Sequence, residues 1–430
     1  MIVADTVRRT FLHRIYRDDF VRHGALVFVG STLGNVGGYV YHVALSRQLG
    51  PERYGELLSL ISLLMIAGVP AGVVTTVVAR YAAEFHALDD RGHLRGLVEW
   101  IARIAVVGGL ILLAVGSGLM GFIARYLHLS TSTPIFFALI AAALAFLGPV
   151  MRAVLQGCHR FSGLSGSMAV EGIGKAIFGI GAVAMGWGVV GAVGGFAAGS
   201  LVGFLLTMAL LRSELGERAR FAIDPRRLIE TTIGVGGSNL AITGLMTVDI
   251  VLARHYLPAT QMGYYAAASL IGRTVLYLLG FVPGLVIPKA SALHARGESA
   301  AGILRRALLL TSACSLIAVL GVGLFPTLTV RIVAGLDFLP AAHFALAYSV
   351  AMTLLAATSI VASYRTSLHR FGYVVPLLGI VIAEIVALAI WHTAVSSFLI
   401  VLMLANAVAF AVVLIGVHPG ERVDIFGDQD

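Results

Sequence analysis

An all-α integral membrane protein, with about twelve transmembrane helices in two six-helix lobes related by a pseudo-two-fold axis along the membrane normal, follows from three features of the sequence. The first is composition. Of 430 residues, 58% are hydrophobic and only 12% charged, and the mean hydropathy is +0.93. Globular proteins carry about a quarter charged residues, so a soluble enzyme is excluded, and so is a disordered chain. The second feature is the recurrence of apolar stretches of the length needed to cross a bilayer, about 20 residues for about 30 Å of hydrocarbon. The third is a repeat of local features between the two halves of the chain.

Taken in order, residues 1–23 place Val3, Val7, Phe11, Leu12, Ile15 and Phe20 at roughly helical spacing, with arginines on the other side. This predicts a cytoplasmic amphipathic leader lying on the inner leaflet, and no cleavable signal is expected before the first span. The expected spans are 24–46, 55–80, 100–126, 134–156, 164–187 and 189–212, then 230–256, 263–288, 304–331, 340–366, 373–394 and 397–417. Only Trp187, Gly188 and Val189 divide the fifth from the sixth. The N-terminal lobe is thus expected over 24–212 and the C-terminal lobe over 230–417, joined by a cytoplasmic linker at 213–229 and followed by a cytoplasmic tail at 418–430.

Orientation comes from the rule that basic loops stay cytoplasmic. With the N-terminus inside, and charges near span ends counted with the adjoining loop, 22 of the 30 Lys and Arg residues fall in inner segments and five in outer loops, leaving Arg103, Lys175 and Arg273. Both termini are therefore expected in the cytoplasm of a multi-pass inner (cell) membrane protein. The halves match at three places: Arg47–Pro51 with Arg254–Pro258, Pro134 with Pro340, and His159–Phe161 with His369–Phe371, at offsets of 207, 206 and 210. Three matches in one order indicate a duplicated unit. Because each unit has an even number of spans, the copies share orientation.

Motifs for catalysis are missing. The chain has no Walker A loop, no paired HExxH histidines and no nucleophile elbow. Its outer loops are too short to hold a catalytic domain. Cys158 and Cys314 cannot form a disulfide framework or a four-ligand zinc site, and the formal charge of +8 is spread between apolar runs, unlike a nucleic-acid surface. No enzyme activity, cofactor, metal or nucleic-acid partner is expected. A monomeric transport unit in the bilayer is.

Ionisable residues within spans are costly, about 2.5–3.5 kcal/mol each on insertion scales, and so mark function or pairing. Glu171 and Lys175 lie four apart on one helix face, either as an ion pair inside the lobe or as an ion-coupling site for H+ or Na+. Glu384 occupies the similar place in span eleven without a lysine four residues on, and is either a protonated or hydrogen-bonded carboxyl or an ion-coupling site. Asp249 in span seven and Arg273 in span eight either bridge each other or line a central cavity. Gly191, Gly195, Gly199 and Gly203 form a stripe that suits close helix packing. Among the prolines inside spans, Pro70 and Pro283 are hinge candidates.

The stretch LSRQLGPERYGEL, residues 45–57, resembles the first loop of the polysaccharide flippases of the multidrug/oligosaccharidyl-lipid/polysaccharide exporter superfamily. The stretch 248–297 is similar too, with Asp249, Gly263–Ala267, Pro283 and Pro288–Lys289. The resemblance implies a V-shaped pair of lobes whose spans one, two, seven and eight line a central cavity, and export of polyprenyl-pyrophosphate-linked sugars. By position it implies Arg47 and Arg254 at the outer mouth, with Asn35, Asn239, Asp249 and Arg273 on cavity-lining spans. Few cavity arginines make a surface glycan a better expectation than a peptidoglycan precursor. Arginine suits such a substrate because it stays charged and offers paired donors to phosphate. The expected function is a flippase carrying a lipid-linked glycan by alternating access. The alternatives are a cation-coupled multidrug exporter of the same superfamily and a non-transport membrane scaffold.

Overall fold

The computed structural model describes residues 19–217, 232–278, 282–283, 286–287, 290, 293, 298–368 and 370–415. Nearly all of the expected leader, residues 218–229 of the linker, Pro288, Lys289 and the tail at 418–430 lie outside the described residues. Helix is the only regular structure among those described.

The first element, α1 (Asp19–Ala87), has 69 residues, about 100 Å if straight, far more than one membrane crossing. Gly50 breaks it, with φ 71° and ψ 175°, directly before Pro51. That backbone region is open to glycine and strained for other residues. The two limbs of α1 are the expected spans one and two. Next come α2 (Arg91–Tyr126), α3 (Thr133–Gly157), α4 (Phe161–Ala184) and α5 (Gly188–Leu211). Asp90 caps α2, accepting from the His93 amide at 2.9 Å and from its Nδ1 at 2.7 Å. These contacts hold the Asp90 carboxyl below the usual carboxylate range. The narrow division between spans five and six is a tight turn built on Gly186 and Gly188, at φ 89° and 52°.

The second half opens on a π-helical turn, Thr232–Gly236, that runs into α6 (Gly237–Tyr256), followed by α7 (Ala259–Leu278). Span nine, expected as one helix over 304–331, is two: α8 (Ala301–Leu324) and α9 (Pro326–Val333). Pro326 has no amide hydrogen to continue the ladder and instead starts a new helix. A 3₁₀ turn, Leu336–Ala341, leads into α10 (Ala342–Ser367), α11 (Val374–Ile390) and α12 (Val395–Ile415). Among the described residues nine helical stretches are long and apolar enough to cross a membrane. One of them, Val29–Ala87, spans both limbs of α1, and α7 and α11 complete the expected twelve.

Helices α1 to α5 pack among themselves and α6 to α12 among themselves, and the two lobes meet mainly where α1 crosses α6 and α7. The glycine stripe of α5 lies against α4. A Cβ at Gly199 would fall 2.2 Å from the Lys175 amide nitrogen, so the two backbones touch directly. Of the hinge candidates, Pro70 is inside α1 and exposed, and Pro283 lies past the end of α7.

Candidate functional site

A buried polar cluster lies within the second lobe. Asp249, on α6, is fully buried, and its Oδ2 accepts hydrogen bonds from Tyr265 of α7 and Tyr348 of α10, both at 2.7 Å. Arg273, on α7, is 3% exposed and donates from Nη2 to the Met246 carbonyl. The same nitrogen stands 3.7 Å from Asp249 Oδ1, which makes a salt bridge without a hydrogen bond. Arg273 Nε and Asp249 Oδ1 have no hydrogen-bond partner among the described residues. The guanidinium also lies within electrostatic reach of His42 on α1 and Tyr277 on α7, so it stands where the second lobe borders the first.

Glu384, on α11, is 2% exposed, and neither carboxyl oxygen has a hydrogen-bond partner among the described residues. Asp249 is within its electrostatic reach. An ionised carboxylate left this way would carry a large desolvation cost, so the site requires a proton or a cation.

In the first lobe, Glu171 is held between two cations. Lys175 Nζ reaches Oε1 at 2.6 Å and Arg152 of α3 reaches Oε2. Ser200 of α5 adds a contact to Oε1 at 3.4 Å, and the Lys175 ammonium sits 4.0 Å from the Phe196 ring centroid. Arg152 lies within α3, and only 12% of its side chain is exposed.

Along the seam, Asn239 places its amide against Gly72, and the Tyr277 hydroxyl meets Met65 sulfur at 3.9 Å. Asn35 is exposed on the first limb of α1. At the Gly50 end the lobes are in direct contact. Arg254 Nε and Nη2 donate to the Leu127 and His128 carbonyls at 2.8 and 2.9 Å, and Arg47 donates to the Ile332 carbonyl.

Over residues 20–294, well over half of its length, the chain matches the family described as polysaccharide biosynthesis protein. The chain belongs to that family. No curated protein matches it by sequence. Solved structures match this polysaccharide biosynthesis family member over nearly its whole length. A lipid II flippase in an inward closed conformation is 13% identical at a TM-score of 0.71, covering 94% of this chain and 90% of the other. A multidrug resistance MATE transporter in an inward-facing conformation is 13% identical at 0.68, with 89% and 93% covered. A transporter of the MOP superfamily from Pyrococcus furiosus, described by the reverse polarity of its binding pocket, is 14% identical at 0.68, with 95% of each chain covered. At such identities the likeness is one of fold, that of the two-lobed all-helical transporters.

Of the six residues expected at the cavity, the structure brings Asp249 and Arg273 together inside the second lobe. It places Arg47 and Arg254 on contacts between lobes and Asn239 at the seam. Sequence reading missed Tyr348 as a partner of Asp249. The two are 99 positions apart and no local pattern joins them. It also missed Arg152 as the second cation on Glu171, although its position one turn inside a span end was a usable signal.

Proposed function

We propose that this polysaccharide biosynthesis family member is a flippase that moves a polyprenyl-pyrophosphate-linked oligosaccharide from the inner to the outer leaflet by alternating access, for a surface polysaccharide. The observation that carries this reading is Arg273. It is a guanidinium deep in the bilayer at the border of the two lobes, whose Nε has no hydrogen-bond partner among the described residues and whose carboxylate partner already accepts from two tyrosine hydroxyls. A diphosphate needs such a donor, permanently charged and planar, while the prenyl chain stays in lipid. In this reading both termini are cytoplasmic, and cysteine labelling at Glu217 and Arg53 from opposite sides of the membrane checks the orientation.

Glu384 is the ion-coupling residue in this proposal, taking up H+ or Na+ beside Asp249. Glu171 is not, because Arg152 and Lys175 already balance its charge. The same buried pair of carboxylates favours a second reading, a cation-coupled multidrug exporter. The deciding experiment uses the purified protein in proteoliposomes. A fluorescent polyprenyl-diphosphate oligosaccharide should become inaccessible to a membrane-impermeant quencher, and a cationic dye should not accumulate under an imposed proton or sodium gradient. Dye movement without movement of the glycolipid would overturn the flippase reading in favour of the exporter.

A further inference from the structure

The two arginines at the Gly50 end carry an inference that does not depend on the substrate. We propose that Arg47 and Arg254 form a reciprocal latch that holds this end of the two lobes shut, each guanidinium capping the C-terminus of a helix in the opposite lobe.

The argument starts from unfilled backbone groups. The last four carbonyls of a helix have no intrahelical partner, and the helix dipole makes that end attractive to a cation. Arg254, in the last turn of α6, is only 7% exposed, and it spends two donors on the carbonyls of Leu127 and His128, which follow α2 in the other lobe. Arg47, at the end of the first limb of α1, donates to the carbonyl of Ile332 in the last turn of α9. Its stem crosses Gly335, where a Cβ would meet Arg47 Cγ at 3.2 Å, and its neighbour Ser46 donates to the Ala334 carbonyl at 3.2 Å.

The two contacts are images of each other. Arg47 and Arg254 occupy matching places in the two halves, 207 positions apart, and so do their acceptors, at the ends of the third and ninth spans. Each half therefore offers one arginine and one helix terminus, and receives the same from its partner. This is the pattern of a self-complementary two-fold contact. It is possible only if the axis runs along the bundle between the lobes.

The surroundings reinforce the Arg254 side more than the Arg47 side. His255 donates from Nδ1 to the Tyr126 carbonyl, 2.8 Å away, and its ring stacks on the Tyr126 ring at 4.0 Å. Glu52 of α1 accepts from Thr260 at 3.1 Å, across the same seam. Alternating access requires this end to part, and the carbonyls and guanidiniums at the seam then exchange each other for water. Water replaces these contacts at modest cost, which is what a reversible latch needs.

The test is a distance measurement on the full-length protein in lipid nanodiscs, with Cys158 and Cys314 replaced by alanine. Spin labels go on Ser130→Cys in the first lobe and Asp337→Cys in the second, both exposed at this end. Arg254→Ala should move the closed-to-open ratio by about tenfold, the scale of a charged hydrogen bond lost, and Arg47→Ala by less. The double variant should move it further, and Arg254→Lys should fall between wild type and Arg254→Ala. Arg125→Ala is the control, because Arg125 donates within its own helix, to Gly121. Arg47 is exposed, so its variant tests the latch without risk to folding. Unchanged distances in Arg47→Ala and in either folded Arg254 variant, or an equal shift in the Arg125 control, would overturn the proposal. Because no substrate enters the measurement, its failure and that of the flippase reading are told apart.

Discussion

Arg273 approaches Asp249 to 3.7 Å without hydrogen-bonding it, while Tyr265 and Tyr348 both donate to the other carboxylate oxygen at 2.7 Å. The aspartate is held by the tyrosines, and the arginine is held mainly by attraction and a backbone carbonyl. Asp249→Ala should therefore be severe, because it strands a buried guanidinium, at a cost of about 3–5 kcal/mol. Tyr348→Phe removes one charged hydrogen bond and should cost about 1.5–3 kcal/mol. Thermal unfolding of the two variants in the same lipid checks the order, and equal losses would mean that the tyrosines, not the charge pair, dominate.

The first lobe separates a structural role from a coupling role. Glu171 stands between Arg152 and Lys175, so Glu171→Gln leaves two cations with no carboxylate and should destabilise by about 3–5 kcal/mol. Lys175→Met leaves the Arg152 pair intact and should cost clearly less. Transport by Lys175→Met should keep the wild-type dependence on the H+ or Na+ gradient. Loss of that dependence would assign coupling to this lobe.

The cap of α2 gives a pH dependence whose sign is fixed. The Asp90 carboxyl is depressed in the folded state by the His93 amide and ring. Its stabilising contribution is present above the ordinary carboxyl value and is lost as pH falls through the depressed folded value. Protection factors for the amides of residues 91–94, corrected for intrinsic exchange, should fall at acid pH in wild type. In Asp90→Asn, which still caps, they should stay level over the same range.

The spans were legible because a membrane helix must be apolar over a set length whatever it packs against. The Gly50–Pro51 break was legible as the loop between spans one and two, whereas span nine read as one helix and hid the restart at Pro326. The repeat was legible in Arg47 and Arg254, but what they touch was not. Leu127, His128 and Ile332 take part through their carbonyls, and a carbonyl leaves no mark in a sequence. Tyr348 was hidden for another reason: an apolar span shows a tyrosine plainly but says nothing of the carboxylate it faces, which depends on how α10 is rotated against α6.

The decisive residue for the proposed substrate is Arg273, and its test must separate anchoring from packing. Arg273→Ala should abolish glycan export while the protein still inserts, and Arg273→Lys should retain part of it, because a lysine keeps the charge but loses the paired donors. Loss of activity alone is ambiguous, since Arg273→Ala also leaves Asp249 without its cation. The double variant Arg273→Ala/Asp249→Asn removes that imbalance. It should regain thermal stability relative to Arg273→Ala and remain inactive in the export assay. If export returns with stability, Arg273 serves only to balance Asp249, and the phosphate is held elsewhere in the seam.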